Sequence, residues 1–351
     1  MSRKVSLIVL IFSLFLTACN FSSGKAFEAT KVNSSETTHT GQPAAKKNFK
    51  ADKPRIAYFS AGASNTYLQA GISAAEETAL NFGADIDIFD GQLDPAKQYY
   101  QVQTAIEANK YDAFVVQSTD GEKLCDLVTK DAINKGITIA VINSTMCGAK
   151  DWHKGTVTFV SGQQYDVYEG IVRKIFTDNP EGGKIAAISG PETSSNAINM
   201  RKAFAQMLQE YPQWKLIGFF ETDYTSNQSF EVTQNIVQSN PDLKVIFSNY
   251  SGVTVGTAEA VRAANRNNIK IYDFGGDQWA FQALEDGLIE MSTIMLPYKE
   301  VQRAIEAVFA SFEGKEVNKI IDLTKDPVLP GTPYVTNENI QQFRDKGLPE
   351  Y

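Results

Sequence analysis

Few side chains in this sequence of 351 residues could carry out catalysis, and they form no common catalytic pattern. Only two histidines occur, His39 and His153, which disfavours histidine-based triads and histidine-rich metal sites. Neither G-x-G-x-x-G nor a Walker-type G-K-[ST] motif is present, and the first predicted strand is followed by Ser60-Ala-Gly-Ala-Ser-Asn65. The sequence therefore predicts no metal site and no nucleotide or dinucleotide cofactor.

Three carboxylates follow predicted strands and could act as general acids or bases: Asp120, Asp223 and Asp277. Residues at such places more often bind a ligand by hydrogen bonds or cap a helix. We therefore predict a binding protein rather than an enzyme, and an enzyme that uses these carboxylates is a minor alternative.

Short apolar runs alternate with longer amphipathic runs, which predicts an α/β protein with two doubly wound, parallel-sheet lobes. The strands predicted in the first lobe are Arg55–Ser60, Ile86–Phe89, Ala113–Val116 and Ile137–Ile142. The pattern begins again at Lys184 and continues to Tyr272, which predicts a second lobe of the same kind. Ligands of such sheets bind at the carboxyl ends of the strands, so a cleft shared by facing lobes is the expected site. A later helix, from Tyr298 to Phe312, indicates that the chain returns to the first lobe.

The first residues have the pattern of a secretory signal that ends at a cysteine. Arg3 and Lys4 precede an apolar run from Val5 to Leu16, which is followed by Thr17-Ala18-Cys19. A helix of that length rises only about 18 Å, too short for a hydrocarbon core of ~30 Å. The segment resembles bacterial lipoprotein signals, which implies removal of residues 1–18 and acylation of Cys19. An ordinary signal with a coincidental cysteine is the alternative.

Residues 19–53 are rich in Ser, Thr, Lys and Ala without apolar periodicity, which predicts a flexible tether. The formal net charge is −8, and loss of Arg3 and Lys4 with the signal would make it −10. Nucleic acid and anionic membrane surfaces are therefore disfavoured partners, and membrane contact is expected only through the lipid anchor.

The chain has three cysteines, so acylation of Cys19 would leave Cys125 and Cys147 as a pair. In an oxidising compartment this pair is expected to form a disulfide. Two reduced, buried thiols are the alternative.

Several short stretches between Pro54 and Leu323 resemble the ribose-type, or type I, periplasmic sugar-binding proteins. They are Asn65-Thr66-Tyr67, Asp94-Pro95-Ala96-Lys97, Gln117-Ser118-Thr119-Asp120, Gly136-Ile137-Thr138-Ile139, Pro241-Asp242-Leu243-Lys244-Val245-Ile246-Phe247 and Glu285-Asp286-Gly287. Each stretch is weak alone, but their order and spacing cover most of the chain. The resemblance implies two lobes joined by three crossovers, near Ser161, Ile294–Pro297 and Thr324. The first lobe would comprise residues 54–160 plus 296–323, and the second 161–295 plus 324–351.

The resemblance also implies a ligand site, to which we add Trp279 as a candidate stacking ring. The candidate residues are Asn65, Tyr67, Asn143, Ser144, Met200, Tyr224, Tyr250, Asp277, Trp279 and Met295. Several depart from the family pattern, since Asn143-Ser144 stand where an Asp-Arg pair is frequent and Met295 where a glutamine is usual. The pocket is therefore expected to have fewer charged hydrogen-bonding groups and more aromatic rings than a pentose site. A sugar derivative, a deoxygenated or cyclic polyol, or a flat ring is favoured over ribose, although each side chain could instead pack in a core.

By resemblance, the protein is a substrate-binding lipoprotein of an ABC-type importer. It would capture a small sugar-like or polyol solute and dock on the permease subunits, at a bacterial membrane and facing the periplasm or the exterior. The alternative is a sensory receptor for a chemoreceptor or histidine kinase, which the sequence does not separate from the first interpretation. Nothing in the sequence argues against a monomer.

Overall fold

The computed structural model describes residues 48–351, which form two six-stranded sheets with helices between the strands. The predicted signal segment, the predicted anchor Cys19 and residues 20–47 of the predicted tether lie outside the described residues. No helix in the described part of the chain is long and apolar enough to cross a bilayer.

The strands of residues 48–351 are short, and most are parallel to their neighbours. They are β1 Arg55–Ser60, β2 Asp85–Asp90, β3 Ala113–Gln117, β4 Thr138–Ile142, β5 Thr158–Ser161, β6 Gly183–Ser189, β7 Trp214–Glu221, β8 Leu243–Ser248, β9 Lys270–Gly275, β10 Met291–Ile294, β11 Ile320–Asp322 and β12 Tyr334–Val335.

The α-helices of the same residues connect these strands. They are α1 Thr66–Asn81, α2 Pro95–Ala108, α3 Ala132–Asn134, α4 Tyr165–Asp178, α5 Ser195–Glu210, α6 Ser226–Ser239, α7 Ser251–Ala263, α8 Gln278–Glu285, α9 Pro297–Phe312 and α10 Ile340–Arg344.

The two sheets have the same internal arrangement, with strand orders β11-β5-β4-β3-β1-β2 and β12-β10-β9-β8-β6-β7. All neighbours are parallel except β10 and β12. In each sheet the chain adds one strand on one side of its first strand and the rest on the other side. The order therefore reverses between β1 and β3 and between β6 and β8, and such reversal points are where open α/β sheets bind ligands.

Helix α2 illustrates how the local sequence fixes these elements. The Asp94 side chain accepts hydrogen bonds from the backbone amides of Ala96 and Lys97, and Pro95 occupies the first helical position. The helix ends at Asn109, whose left-handed backbone (φ 49°) stops it. The Asp94-Pro95 pair predicts such a helix from the sequence alone, reaching about Ala108, because these signals are local.

Helix α9 joins the first lobe although it follows the second sheet in the sequence. Its apolar face packs on α1 and on strands β4 and β5, and β11 then pairs with β5 at the edge of the first sheet. This is the predicted return of the chain. The exact lobe boundaries, 54–160 with 296–323 and 161–295 with 324–351, stay a prediction.

Three features differ from the sequence-based expectations. The amphipathic run from about Glu122 to Asn134 predicts one helix, but the structure has a π-helical turn, Leu127–Asp131, before α3. Strands β5, β10 and β12 were not predicted. They have two to four residues, too few to show a clear alternation of apolar and polar residues. The tether was predicted to reach Lys53, but the Phe49 ring packs edge-on against Phe312 at 5.2 Å and the Lys50 amide donates to Asp112.

Cys125 and Cys147 lie side by side in the first lobe. Their Cα atoms are 4.9 Å apart, within the range that a disulfide spans. A bond between them would connect the segment just before the π-helical turn to the loop that follows β4, and would hold together two loops at the same edge of the first sheet.

Candidate functional site

A cavity of about 220 Å³ lies between the carboxyl ends of the two sheets. Its lining includes residues that follow β1 and β3 in the first sheet and residues that follow β6 and β8 in the second. The cavity is therefore at the reversal point of both sheets, which is the position expected for a ligand site.

Every residue that lines this cavity is uncharged. The polar side chains are Asn65, Gln117, Ser118, Thr119, Asn143, Ser144, Gln163, Thr193, Ser194, Asn196 and Asn249, and the aromatic rings are Tyr67, Tyr224 and Tyr250. The remainder are Ala61, Leu68, Leu93, Pro95, Pro191 and Met295. A charged ligand would lose its hydration here without gaining a counter-ion, so the lining favours a neutral molecule with both polar and apolar faces.

The structure brings seven of the predicted site residues to this cavity. They are Asn65, Tyr67, Asn143, Ser144, Tyr224, Tyr250 and Met295. They come from different loops and helices and are far apart in the sequence, so their convergence is a property of the fold. Their contact with a ligand remains a proposal.

Three predicted site residues do not line the cavity. Met200 is fully buried in the core face of α5, and Asn196, one turn earlier on the same helix, lines the cavity instead. The Asp277 carboxylate caps α8, where its Oδ1 accepts a hydrogen bond from the Ala280 amide at 2.8 Å. Trp279 packs against the hydrophobic core. Helix capping uses the Asp277 side chain, and core packing uses Met200 and Trp279.

Sequence analysis missed several polar residues of the lining. Gln117, Ser118 and Thr119 follow or end β3, Gln163 follows β5, and Asn249 follows β8. Gln117, Ser118 and Thr119 lie in a stretch that resembles the family, and β5, which precedes Gln163, was not predicted. Beyond these, the only sequence signal is a polar residue at the carboxyl end of a predicted strand. That signal occurs at many loops, so it could not separate lining residues from ordinary turn residues.

Asn143 and Tyr224 hold left-handed backbone conformations, with φ of 62° and 66°. Asparagine tolerates this region, whereas an aromatic residue rarely adopts it. The conformation places the Tyr224 ring against Gly190, where an added Cβ would lie only 1.9 Å from the ring, and edge-on to Tyr250 at 6.0 Å. The two rings thus form an aromatic corner of the cavity.

A buried carboxyl group supports the Tyr67 side of the cavity. The Tyr67 hydroxyl donates to Oε2 of Glu300 at 2.6 Å and accepts from Nδ2 of Asn143 at 2.9 Å. Glu300 is only 2% exposed, and burial raises its pKa to about 8. Its carboxyl group is therefore mainly protonated at neutral pH. Hydrogen bonds then hold the Tyr67 and Asn143 side chains in place without a buried charge.

Three buried polar atoms of the lining have no hydrogen-bond partner within residues 48–351. They are Ser118 Oγ, Asn196 Oδ1 and Asn249 Oδ1, and Ser118 and Asn249 are each only 3% exposed. Buried polar groups in folded proteins nearly always have partners, because an unpaired one costs about 1–3 kcal/mol. These atoms lie where hydroxyl groups of a bound molecule could supply the missing bonds.

The two sides of the cavity touch directly. Nδ2 of Asn196, in the first turn of α5, donates to Oδ1 of Asn143, which follows β4 of the other sheet, at 3.2 Å. The described conformation is therefore closed at this point. No group of three or more metal-binding side chains occurs in the described part of the chain.

The family model for a periplasmic binding protein domain matches residues 56–316. The chain belongs to this family. It is 21% identical to the D-apiose import binding protein of Actinobacillus succinogenes over 277 residues, covering 78% of this chain and 87% of that one. It is 23% identical to the ribose import binding protein of Bacillus subtilis over 247 residues, covering 70% and 77%.

Solved structures of this family share the two-lobed fold. A solute-binding protein of Agrobacterium vitis with bound D-fucose superposes with a TM-score of 0.75 at 20% identity, covering 84% of this chain and 99% of that one. The predicted type I periplasmic binding protein fold is thereby confirmed. Membership of the family also confirms the prediction of a binding protein rather than an enzyme.

Proposed function

We propose that this periplasmic binding protein is the solute-binding component of an ABC-type importer and captures a small, uncharged sugar or polyol. The observation that carries the proposal is the cavity itself. Its lining is entirely uncharged, and it holds three buried oxygen atoms, Ser118 Oγ, Asn196 Oδ1 and Asn249 Oδ1, that lack hydrogen-bond partners in the described residues.

The chemistry of the lining supports this ligand class. Amide side chains present a donor and an acceptor together, which suits adjacent hydroxyl groups, and aromatic rings suit the apolar face of a sugar. The ligand-binding residues proposed are Asn65, Tyr67, Asn143, Ser144, Tyr224, Tyr250 and Met295, together with Ser118, Asn196 and Asn249. The cavity is slightly smaller than the ~300–1,000 Å³ of typical ligand pockets, which favours a compact ligand. Two relatives are named as import binding proteins for D-apiose and for ribose, which supports the same class of ligand.

A thermal-unfolding screen tests the proposal. Neutral sugars and polyols, including D-apiose, D-ribose, D-fucose and xylitol, should include at least one that raises the unfolding temperature. A ligand at 100 times its Kd adds about 2.7 kcal/mol of stability. Asn249→Ala should weaken that ligand about 5- to 150-fold because one hydroxyl group loses its buried partner. Asn267→Ala, on an exposed loop of the same lobe, is the matched control.

Two results would overturn the proposal. One is stabilisation by charged solutes such as L-glutamate or L-arginine with no effect of any neutral sugar or polyol. The other is equal binding by the Asn249→Ala and Asn267→Ala variants. The importer role has a separate readout: cells that lack the protein should lose uptake of the stabilising sugar.

We further propose that the mature protein begins at an acylated Cys19, is held at a bacterial membrane by that anchor alone, and contains a Cys125–Cys147 disulfide. The sequence pattern before Cys19 and the 4.9 Å separation of the other two Cα atoms support these steps. Intact-mass measurement of protein from membranes should show loss of residues 1–18 and added acyl chains. Alkylation of Cys125 and Cys147 should require prior reduction, and reduction should lower the free energy of unfolding by about 3 kcal/mol. A free, alkylatable Cys125 or an unacylated Cys19 would contradict the respective step.

A further inference from the structure

Tyr351 lies between the two lobes, next to the ligand cavity. Its hydroxyl donates to the carbonyl oxygen of Gly275 at 3.0 Å, and its backbone oxygen accepts from the Gln278 amide at 2.8 Å. Gly275 ends β9 of the second sheet, and Gln278 begins α8, which follows that strand. On the other side, its ring stands edge-on to the ring of Tyr67, in α1 of the first lobe, at 5.9 Å. A side chain held from both lobes in this way occupies the cleft between them.

Glu350 fixes this segment in place. Its Oε2 accepts hydrogen bonds from the amides of Tyr298 (2.9 Å) and Lys299 (3.4 Å) in the first turn of α9. These amides have no partner within the helix, and a carboxylate at a helix N-terminus is favourable. Residues 350 and 351 are therefore bonded to the first lobe through α9 and to the second lobe through Gly275 and Gln278.

Tyr351 lies close to Asp277, the carboxylate that caps α8. Asp277 lies between Gly275 and Gln278, the two residues that bond Tyr351, and its charge helps to raise the pKa of the Tyr351 hydroxyl, which burial raises most. The aspartate is close to Tyr351 and to Tyr250, which lines the cavity, yet its carboxylate does not line the cavity. An aromatic side chain of the protein stands in the part of the cleft that a ligand would need in order to reach this carboxylate.

We propose that Tyr351 is a specificity-determining residue that closes the end of the cleft beside Asp277 and so restricts the site to compact ligands. The inference rests on the proposed binding of neutral sugars or polyols. Removal of the ring would lengthen the cavity and expose a carboxylate that can accept hydrogen bonds from two hydroxyl groups. Charge-assisted hydrogen bonds of this kind are about twice as strong as neutral ones. The enlarged site should therefore favour larger, more hydroxylated ligands.

Calorimetric titration of four variants tests this role, with D-apiose as the compact probe and D-allose and myo-inositol as the larger probes. Tyr351→Ala should improve the affinity for at least one larger probe about tenfold or more relative to D-apiose. Tyr351→Phe keeps the ring and should keep the preference of the parent protein. Asp277→Asn should change the affinities less than about twofold alone, but should remove most of the gain when combined with Tyr351→Ala.

Tyr351→Leu serves as a second variant should Tyr351→Ala fold poorly, because leucine preserves apolar packing and shortens the side chain. It should show a smaller shift in the same direction. An unchanged ligand preference in folded Tyr351→Ala and Tyr351→Leu would overturn this inference while leaving the proposed function intact. Weaker binding by the single Asp277→Asn variant would also overturn it, since Asp277 would then contact ligand in the parent protein. If the parent binds no neutral sugar or polyol, the proposed function fails and this inference with it.

Discussion

Replacement of Glu300 by glutamine is expected to remove a pH-dependent loss of stability worth roughly 3–5 kcal/mol. Burial raises the pKa of Glu300 from 4.5 to about 8. Below pH 4.5 the carboxyl group is protonated in both the folded and unfolded states. Between pH 4.5 and 8 the unfolded chain releases this proton while the folded protein keeps it, so stability falls by about 1.4 kcal/mol per pH unit. A glutamine side chain cannot ionise, and its amide oxygen can still accept from Tyr67.

Urea unfolding at pH values from about 5 to 8.5 measures this effect. The difference in free energy of unfolding between Glu300→Gln and the parent should increase steadily in favour of the variant and level off above pH 8, where the folded carboxyl group has also ionised. Burial is the largest cause of the raised pKa of Glu300; the charge of Glu350 raises it further, and hydrogen bonds with Tyr67 and Asn143 oppose the shift.

Glu306→Gln, on the same helix but paired with Arg303 at 2.9 Å in a partly exposed position, is the matched control. It should leave the pH slope unchanged. A constant difference between Glu300→Gln and the parent across the whole pH range would show that Glu300 is ionised in the folded protein.

Gly190→Ala is expected to weaken binding of the preferred sugar about 10- to 150-fold. The added Cβ would lie 1.9 Å from the Tyr224 ring, a distance that real contacts do not reach, so the ring must leave its place in the cavity. Loss of the apolar surface that a ring of this size buries costs about 1.5–3 kcal/mol, and each 1.4 kcal/mol is a factor of about ten in affinity. Isothermal calorimetry gives the affinities directly.

A double-mutant cycle with Tyr224→Ala separates this cause from a general disturbance of the loop. If Gly190→Ala acts by displacing the ring, it should cost little once the ring is absent, and the two losses should not add. Gly162→Ala is the control, since a Cβ there would meet only Leu323 at an ordinary 3.5 Å. Additive losses from Gly190→Ala and Tyr224→Ala would show that Tyr224 is not the side chain through which Gly190 acts.

The sequence predicted most of the fold because its strands are apolar runs and its helices carry local end signals. Helix α2 is the clearest case, with Asp94 and Pro95 fixing its start and Asn109 its end. The π-helical turn Leu127–Asp131 could not be predicted, because its residues fit a regular helix equally well. Helix α4 was also missed. Its buried residues recur at helical spacing, but Gly170 and two aspartates lower its intrinsic helix propensity.

The candidate site was predicted less completely, and for a physical reason. Family spacing gives approximate positions, but local hydrogen bonding and packing decide which side chains face the cavity. The Asp277 carboxylate accepts a hydrogen bond from the Ala280 amide. On α5, Met200 faces the core while Asn196 faces the cavity. Tyr67 and Tyr351 are far apart in the sequence, so no local sequence pattern predicts the contact between their rings.

The return of the chain to the first lobe sets the order in which a newly synthesised molecule can be completed. Strands β1 to β5 emerge first, but the helix that covers β4 and β5 and the strand that borders β5 come from residues 297–322, after five strands of the second sheet. The sheet that is made first is therefore completed only after most of the second sheet has been made, and β12 then completes the second sheet. Until α9 packs on the first sheet, part of the apolar face of that sheet is exposed. The ribosome must therefore synthesise nearly the whole chain before the two lobes can close on each other.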